Sequence, residues 1–170
     1  MVASTLEMLD CWYVDPAVSQ DNDKTMLLSK LAILELSGWL EEEFDRLIKK
    51  VATGKLNDSK FLNEEVIKKS NGFTYDVHWR NMLRKVVGEV IAKRVDIAME
   101  QAHPTELGQL KALLGQLFSA RCSFAHANLI ANVATQQKFN APSLTRGQYS
   151  QLKSILAHYE KVLMKEVKKI

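Results

Sequence analysis

Helical periodicity dominates the pattern of apolar and polar residues along this chain. Leu6 to Tyr13 predicts one or two turns, ended before Pro16. A long helix is expected from near Asp23 to about Ala52, with Gly54 as its C-terminal stop. Its apolar positions include Leu27, Leu31, Leu34, Leu40, Phe44, Leu47 and Val51. From Met26 to Leu40 it is apolar nearly all round, which predicts a central, buried segment, whereas from Glu41 onward it carries a charged face. A shorter helix is expected from about Ser59 to Lys69, stopped by Asn71-Gly72. Asp76 to about Gln101 reads as one helix or two joined near Gly88, with Met82, Val86, Val90, Ile97 and Met99 on its apolar face. Pro104 marks a break and is placed to open the next helix. That helix carries Leu107, Leu110, Leu113, Leu114, Leu117 and Phe118, and its stripe continues through Ala120 to Phe124. Residues 127 to about 147 are polar and weakly periodic, the longest expected loop. A last helix, from about Gln148 to Val167, has a stripe of Tyr149, Leu152, Ile155, Leu156, Tyr159, Val162 and Leu163. The fold class is therefore all-α: one domain over residues 1–170, a bundle of about five helices.

Composition narrows the class further. A chain of 170 residues can bury a sizeable core. With 46% hydrophobic and 25% charged residues it is an ordinary globular chain rather than a disordered one. Three prolines and seven glycines are too few for the many turns of an all-β fold. Cys11 and Cys122 match no metal-site spacing and cannot make a disulfide framework, which fits a reducing cytoplasm. There is no basic segment leading into an apolar one at the N-terminus, so no signal peptide is expected. The longest apolar run, around Leu31 to Leu40, is interrupted by Glu35 and Ser37, so no membrane span is expected. The net charge of +3 permits nucleic-acid binding without predicting it. From Arg146 onward Lys153, Lys161, Lys165, Lys168 and Lys169 outnumber Glu160 and Glu166. Such a helix either tracks phosphates or presents a solvated face with cations favoured at its C-terminus.

The sharpest chemistry lies in Arg121-Cys122-Ser123-Phe124-Ala125-His126. A guanidinium can hold and neutralise a phosphodiester, and an imidazole can move its proton. Five residues on a straight helix is about 140° around the axis, so the pair does not share a face. The two converge if the helix loosens at its end or if the long arginine swings round the axis. A two-fold dimer helps in either case, by bringing the His126 edges of both chains to one cleft. Spacing alone is also met by coincidence, and the helix dipole by itself favours a histidine at a C-terminus. Glu35, a carboxylate among apolar residues, either orients Arg121 or His126 or faces a polar notch and pairs with a nearby cation. His78, His103 and His158 have no partner at metal-ligand spacing. Trp39, Trp79, Tyr149 and Tyr159 sit at core-compatible positions. There is no Gly-rich phosphate loop and no G-x-S-x-G.

The hexapeptide with Ala127-Asn128, at the end of a leucine-periodic helix and followed by a polar stretch and a last helix, resembles the HEPN superfamily. Its R-x(4–6)-H signature is matched by Arg121 and His126. Leu34-Glu35-Leu36 in the early helix and Ala141-Pro142-Ser143 before the last one are similar to the RiboL-PSP-type branch, and the layout fits from about Lys24 to the C-terminus. The resemblance implies a metal-independent endoribonuclease of a toxin–antitoxin or antiviral-defence system, with no cofactor. RNA would be cut by attack of its own 2′-hydroxyl, leaving a 2′,3′-cyclic phosphate and a 5′-hydroxyl, and DNA would not be cut. His126 would be the general base or acid and Arg121 would stabilise the phosphate's added charge. The implied partners are RNA, a second copy of the chain and a cognate antitoxin protein. One position departs from the pattern: the residue after the arginine is usually polar in this superfamily, often Asn, Asp or His, and here it is Cys122, a weak hydrogen-bond donor. Ser123 is the neighbour able to take over part of that role. The alternative functions are a catalytically silent HEPN module that binds RNA or a partner protein, and a purely structural bundle.

Overall fold

A computed structural model describes residues 2–53, 56, 58–126 and 140–169, with backbone alone at 125 and 126. Among the described residues there are helices and turns and no strand. The all-α class holds. The α-helices are α1 (Val2–Tyr13), α2 (Pro16–Ser19), α3 (Asn22–Ala52), α4 (Ser59–Phe61), α5 (Arg80–Ala102), α6 (Glu106–His126) and α7 (Pro142–Val167). Two wider π-helical segments, Leu62–Ile67 and Tyr75–Trp79, lie between α4 and α5. No described helix is long and apolar enough to cross a membrane. The expected stop at Gly54 and the stretch 127–139 lie outside the described residues.

Aspartates start three of the helices. Asp15 Oδ1 accepts from the Ala17 amide at 2.8 Å ahead of α2, where Pro16 takes the first helical position. Asp21 Oδ1 accepts from the Asp23 and Lys24 amides, both at 3.1 Å, ahead of α3. Asp58 Oδ1 accepts from the Phe61 amide at 2.8 Å ahead of α4. Each supplies a partner for amides that the first turn leaves open.

The chain divides into two compact units, Met1–Trp39 with Gln116–Gln151 and Leu40–Gly115 with Leu152–Ile170. In the first, Leu6 and Leu9 of α1 bury against Ala32, with Val2, Leu28 and Tyr149 packed beside them. Trp39 meets Tyr149 edge-on at 4.9 Å. The first half of α3 is not buried all round: Leu27, Leu31 and Leu34 are 46%, 41% and 38% exposed, while Ala32, Ile33, Leu36 and Leu40 are buried. The inward stripe of one face suffices for this core, and the second apolar face at i, i+4, i+7 is left to solvent.

In the second unit the π-helical turn Tyr75–Trp79 aims both of its end aromatics inward. Its Trp79 amide reaches back five residues to the Thr74 carbonyl at 3.1 Å. Trp79 stacks on Phe44 at 4.9 Å and its indole N–H donates to the Tyr159 hydroxyl at 3.0 Å. The Tyr159 and Tyr75 hydroxyls are 3.1 Å apart, and Tyr75 donates to Asp96 Oδ1 at 2.5 Å. Arg80 pairs with the other Asp96 oxygen at 2.9 Å. Burial pushes both tyrosine hydroxyls well above their ordinary range, so they remain donors.

Two departures from the sequence reading have local causes. Gly88 lies inside α5 at φ 81°, ψ 164°, a conformation that breaks the helix into two phases. The buried face is therefore Met82 and Leu83 before it and Ala92, Val95, Asp96 and Met99 after it, whereas Val90 is 72% exposed and Ile97 is also outside. The last helix starts at Pro142 rather than near Gln148. Its first turn hides its pattern: Leu144 is exposed while Thr145 is buried, without a hydrogen-bond partner for its hydroxyl among the described residues. Gly88→Ala is expected to lower stability by about 1–2 kcal/mol, the cost of a Cβ in that backbone region. Nothing lies within 4 Å of the added carbon, so the loss is conformational rather than steric. Thermal unfolding measures it, and an unchanged midpoint would show that α5 straightens without penalty.

Candidate functional site

Helix α6 buries Leu107, Leu110, Leu114, Leu117 and Phe124. The spacing leaves one gap, and Arg121 occupies it, half-buried on the inner stripe between Leu117 and Phe124. The arginine is thus placed by the same periodicity that packs the leucines. Its aliphatic stem can lie along apolar surface while the guanidinium stays polar. Cys122 and Ser123 fall on the outer face and are exposed. Ser123 Oγ donates to the Ser119 carbonyl one turn back at 3.0 Å, the usual outlet for a helical serine. That hydroxyl is directed along its own helix, and Cys122, like Cys11, is a free, exposed thiol.

The backbone stays α-helical through His126. The Arg121 and His126 backbone positions are therefore about 140° apart around the axis. The His126 side chain and the Ala127-Asn128 extension lie outside the described residues. Glu35, on α3 of the same unit as Arg121, is half-buried, and among the described residues it has no hydrogen-bond or ion-pair partner. Ala141-Pro142-Ser143 forms the entry to α7, with the Leu144 amide donating to the Ala141 carbonyl at 3.0 Å.

Two groups stand out among the basic residues from Arg146 onward. Arg146 reaches Asp10 at 3.4 Å, and Lys169 pairs with Glu166, which also holds Arg94 at 3.0 Å. Lys161, Lys165 and Lys168 recur at i, i+4 and i+7, are exposed, and have no acidic partner among the described residues. They form one cationic edge roughly 10 Å long.

Glu160, on the same helix, is held by the Arg46 guanidinium at 2.6 Å and by Lys50 at 2.6 Å. The Arg46 hydrogen bond, with Lys50 in support, outweighs burial and lowers its carboxyl from 4.5 to about 2. A carboxyl depressed in the folded state stabilises the protein fully above its unfolded value, and the contribution is lost as pH falls toward the folded value. The Glu160→Gln variant is expected to melt below wild type at pH 7, by about 0.2–1 kcal/mol for this solvent-screened cluster. The difference should shrink between pH 5 and about pH 2. A gap that stays constant across that range would assign the loss to packing rather than charge.

No family model matches the chain, and no curated protein or solved structure is significantly similar to it.

A cleft of about 570 Å³ in the second unit is lined in part by Lys69, His78, Asn81 and Lys85. Both lysines are engaged, Lys69 with the Glu65 carboxylate at 2.5 Å and Lys85 with the Glu65 carbonyl at 2.7 Å. Elsewhere in that unit the fold assembles a cluster that the sequence reading missed. His103, Glu106 and His158 each present a potential ligand atom, all within 4.8 Å of one another. His103-x-x-Glu106 was a visible spacing, but Pro104 between them read as a break. His158 lies 52 residues beyond Glu106, so its approach depends on helix packing.

Proposed function

We propose that this chain is a metal-independent, HEPN-type endoribonuclease acting as a dimer, with Arg121 and His126 as its catalytic pair. One observation carries the reading: an arginine takes an inner-stripe position near the end of an apolar helix, and a histidine closes that same helix five residues later. The arginine neutralises the scissile phosphodiester, and the histidine moves the proton of the attacking 2′-hydroxyl or of the leaving 5′-oxygen. Within the second unit, Lys161, Lys165 and Lys168 form an unpaired cationic edge of a charge suited to a sugar–phosphate backbone. The half-exposed Leu27, Leu31 and Leu34 offer a second copy of the chain an apolar face to cover. A toxin or antiviral effector with a neutralising partner protein is the biological setting this chemistry suits.

Single-stranded RNA incubated with the purified chain in EDTA is expected to be cut, leaving 2′,3′-cyclic phosphate and 5′-hydroxyl ends, while DNA of the same sequence stays intact. The helical content is followed in the same buffer, so that loss of fold is told apart from loss of activity. Intact RNA with a folded protein would reject the nuclease reading. The second reading, a silent module that binds RNA or a partner, is favoured by the exposed thiol of Cys122 at a usually polar position and by the Ser123 hydroxyl bonded within α6. It predicts salt-dependent RNA binding or partner capture without cleavage.

A further inference from the structure

His103, Glu106 and His158 meet in the second unit from three different segments. His103 follows the last residue of α5, and its amide donates to the Met99 carbonyl at 2.8 Å. Glu106 opens α6, and its amide donates to the His103 carbonyl at 3.1 Å, closing a tight turn that sets the two side chains side by side. His158 comes from the middle of α7.

The side chains face one another. His158 Nδ1 lies 3.0 Å from both Glu106 carboxylate oxygens, and His103 Nδ1 lies 3.5 Å from Glu106 Oε1. The two imidazoles stack at 4.5 Å with 7° between their planes. Both rings turn the same nitrogen toward one carboxylate, which gathers three potential metal-donor groups within 4.8 Å of one another. Donors bound at 2.0–2.1 Å around a tetrahedral ion stand about 3.4 Å apart. The two histidine–carboxylate spacings bracket that value, and all three donor atoms lie within 4.8 Å of one another.

We propose that His103, Glu106 and His158 form a binding site for a divalent first-row transition ion of the zinc class. Two imidazole nitrogens and one carboxylate suit such an ion, whereas calcium and magnesium favour all-oxygen sets. Three protein ligands leave a fourth position, and the half-buried cluster leaves it open to water. Parallel rings cannot both aim a lone pair at one point, so ion entry turns the imidazoles about χ2, the softest of their torsions. Binding ties the end of α5 and the start of α6 to α7, so the bound ion stabilises the folded chain.

The test uses the untagged, full-length chain, stripped with EDTA and dialysed. Cobalt(II), the spectroscopic probe, is expected to give visible d–d bands that saturate at one ion per chain. Zinc at about 100 times its dissociation constant should raise the melting midpoint by about 5–10 °C. His103→Phe and His158→Phe keep the ring stack but remove the nitrogen, and each should weaken binding at least tenfold. His78→Phe, outside the cluster, should bind as wild type. Where a phenylalanine variant fails to fold, Glu106→Gln serves in its place and should also weaken binding. Absence of a saturable cobalt spectrum in the folded wild type, or unchanged affinity in the folded cluster variants, overturns the proposal.

Discussion

On the proposed nuclease reading, replacing His126 with alanine is expected to lower the rate of RNA cleavage by about 10²–10⁴-fold, the usual contribution of a positioned proton-transfer group. The size follows from what remains. In that mechanism water would have to take the proton from the 2′-hydroxyl once the imidazole is gone, while Arg121 would still hold the phosphate. Arg121→Lys keeps the charge but loses the planar fork, and should cost about 10²–10³-fold. Lysine is the better probe than alanine because Arg121 sits half-buried on the inner stripe of α6, where truncation would also remove packing. If the two residues act on one phosphate, the double variant loses little more than the worse single one. Full additivity of the two losses would place them in separate roles. Undiminished cleavage by a folded, monodisperse His126→Ala protein would remove His126 from the mechanism.

Trp79→Ala should destabilise the chain by about 3–5 kcal/mol, the range for deleting a large buried aromatic. Trp79 is fully buried, stacks on Phe44, and starts a hydrogen-bond chain. Its indole N–H donates to Tyr159, and the chain runs on through Tyr75 to Asp96 and Arg80. Alanine removes the ring and breaks the first link, so the loss comprises both a cavity and a lost donor. The melting midpoint should fall by about 6–20 °C for a chain of this size. Tyr159→Phe separates the two causes. It keeps the volume but leaves the Trp79 N–H without its acceptor in a buried site, at a cost of about 1–3 kcal/mol. A Trp79→Ala midpoint within 2 °C of wild type would show that the network does not hold the second unit together.

These predictions draw on different levels of the molecule. Helix positions were readable because period and capping are short-range: the stripe of α6 from Leu107 to Phe124 and the stop before Pro16 depend on neighbours within a turn or two. Trp79 and Tyr159 were readable as core residues, but not as members of one hydrogen-bond chain. The face of a helix was harder to read than its existence. Leu27, Leu31 and Leu34 look as buried as their neighbours in the sequence, yet among the described residues they stay exposed while Ala32, Ile33 and Leu36 are buried. Val90 and Ile97 share the expected apolar face of an unbroken helix but lie outside, because Gly88 resets the helical phase, and a positive φ at one glycine is settled by the surrounding packing.

Arg121 and His126 stand out in the chain because their spacing and their place on a leucine stripe are local features. The meeting of His103, Glu106 and His158 is of the opposite kind. Two of the three are neighbours across a turn, and the third arrives only when α7 packs against the start of α6. Periodicity within one helix can announce a stripe and the residues that interrupt it. Which side chains of separate helices then face one another is decided by packing, because that contact does not exist until the helices are brought together.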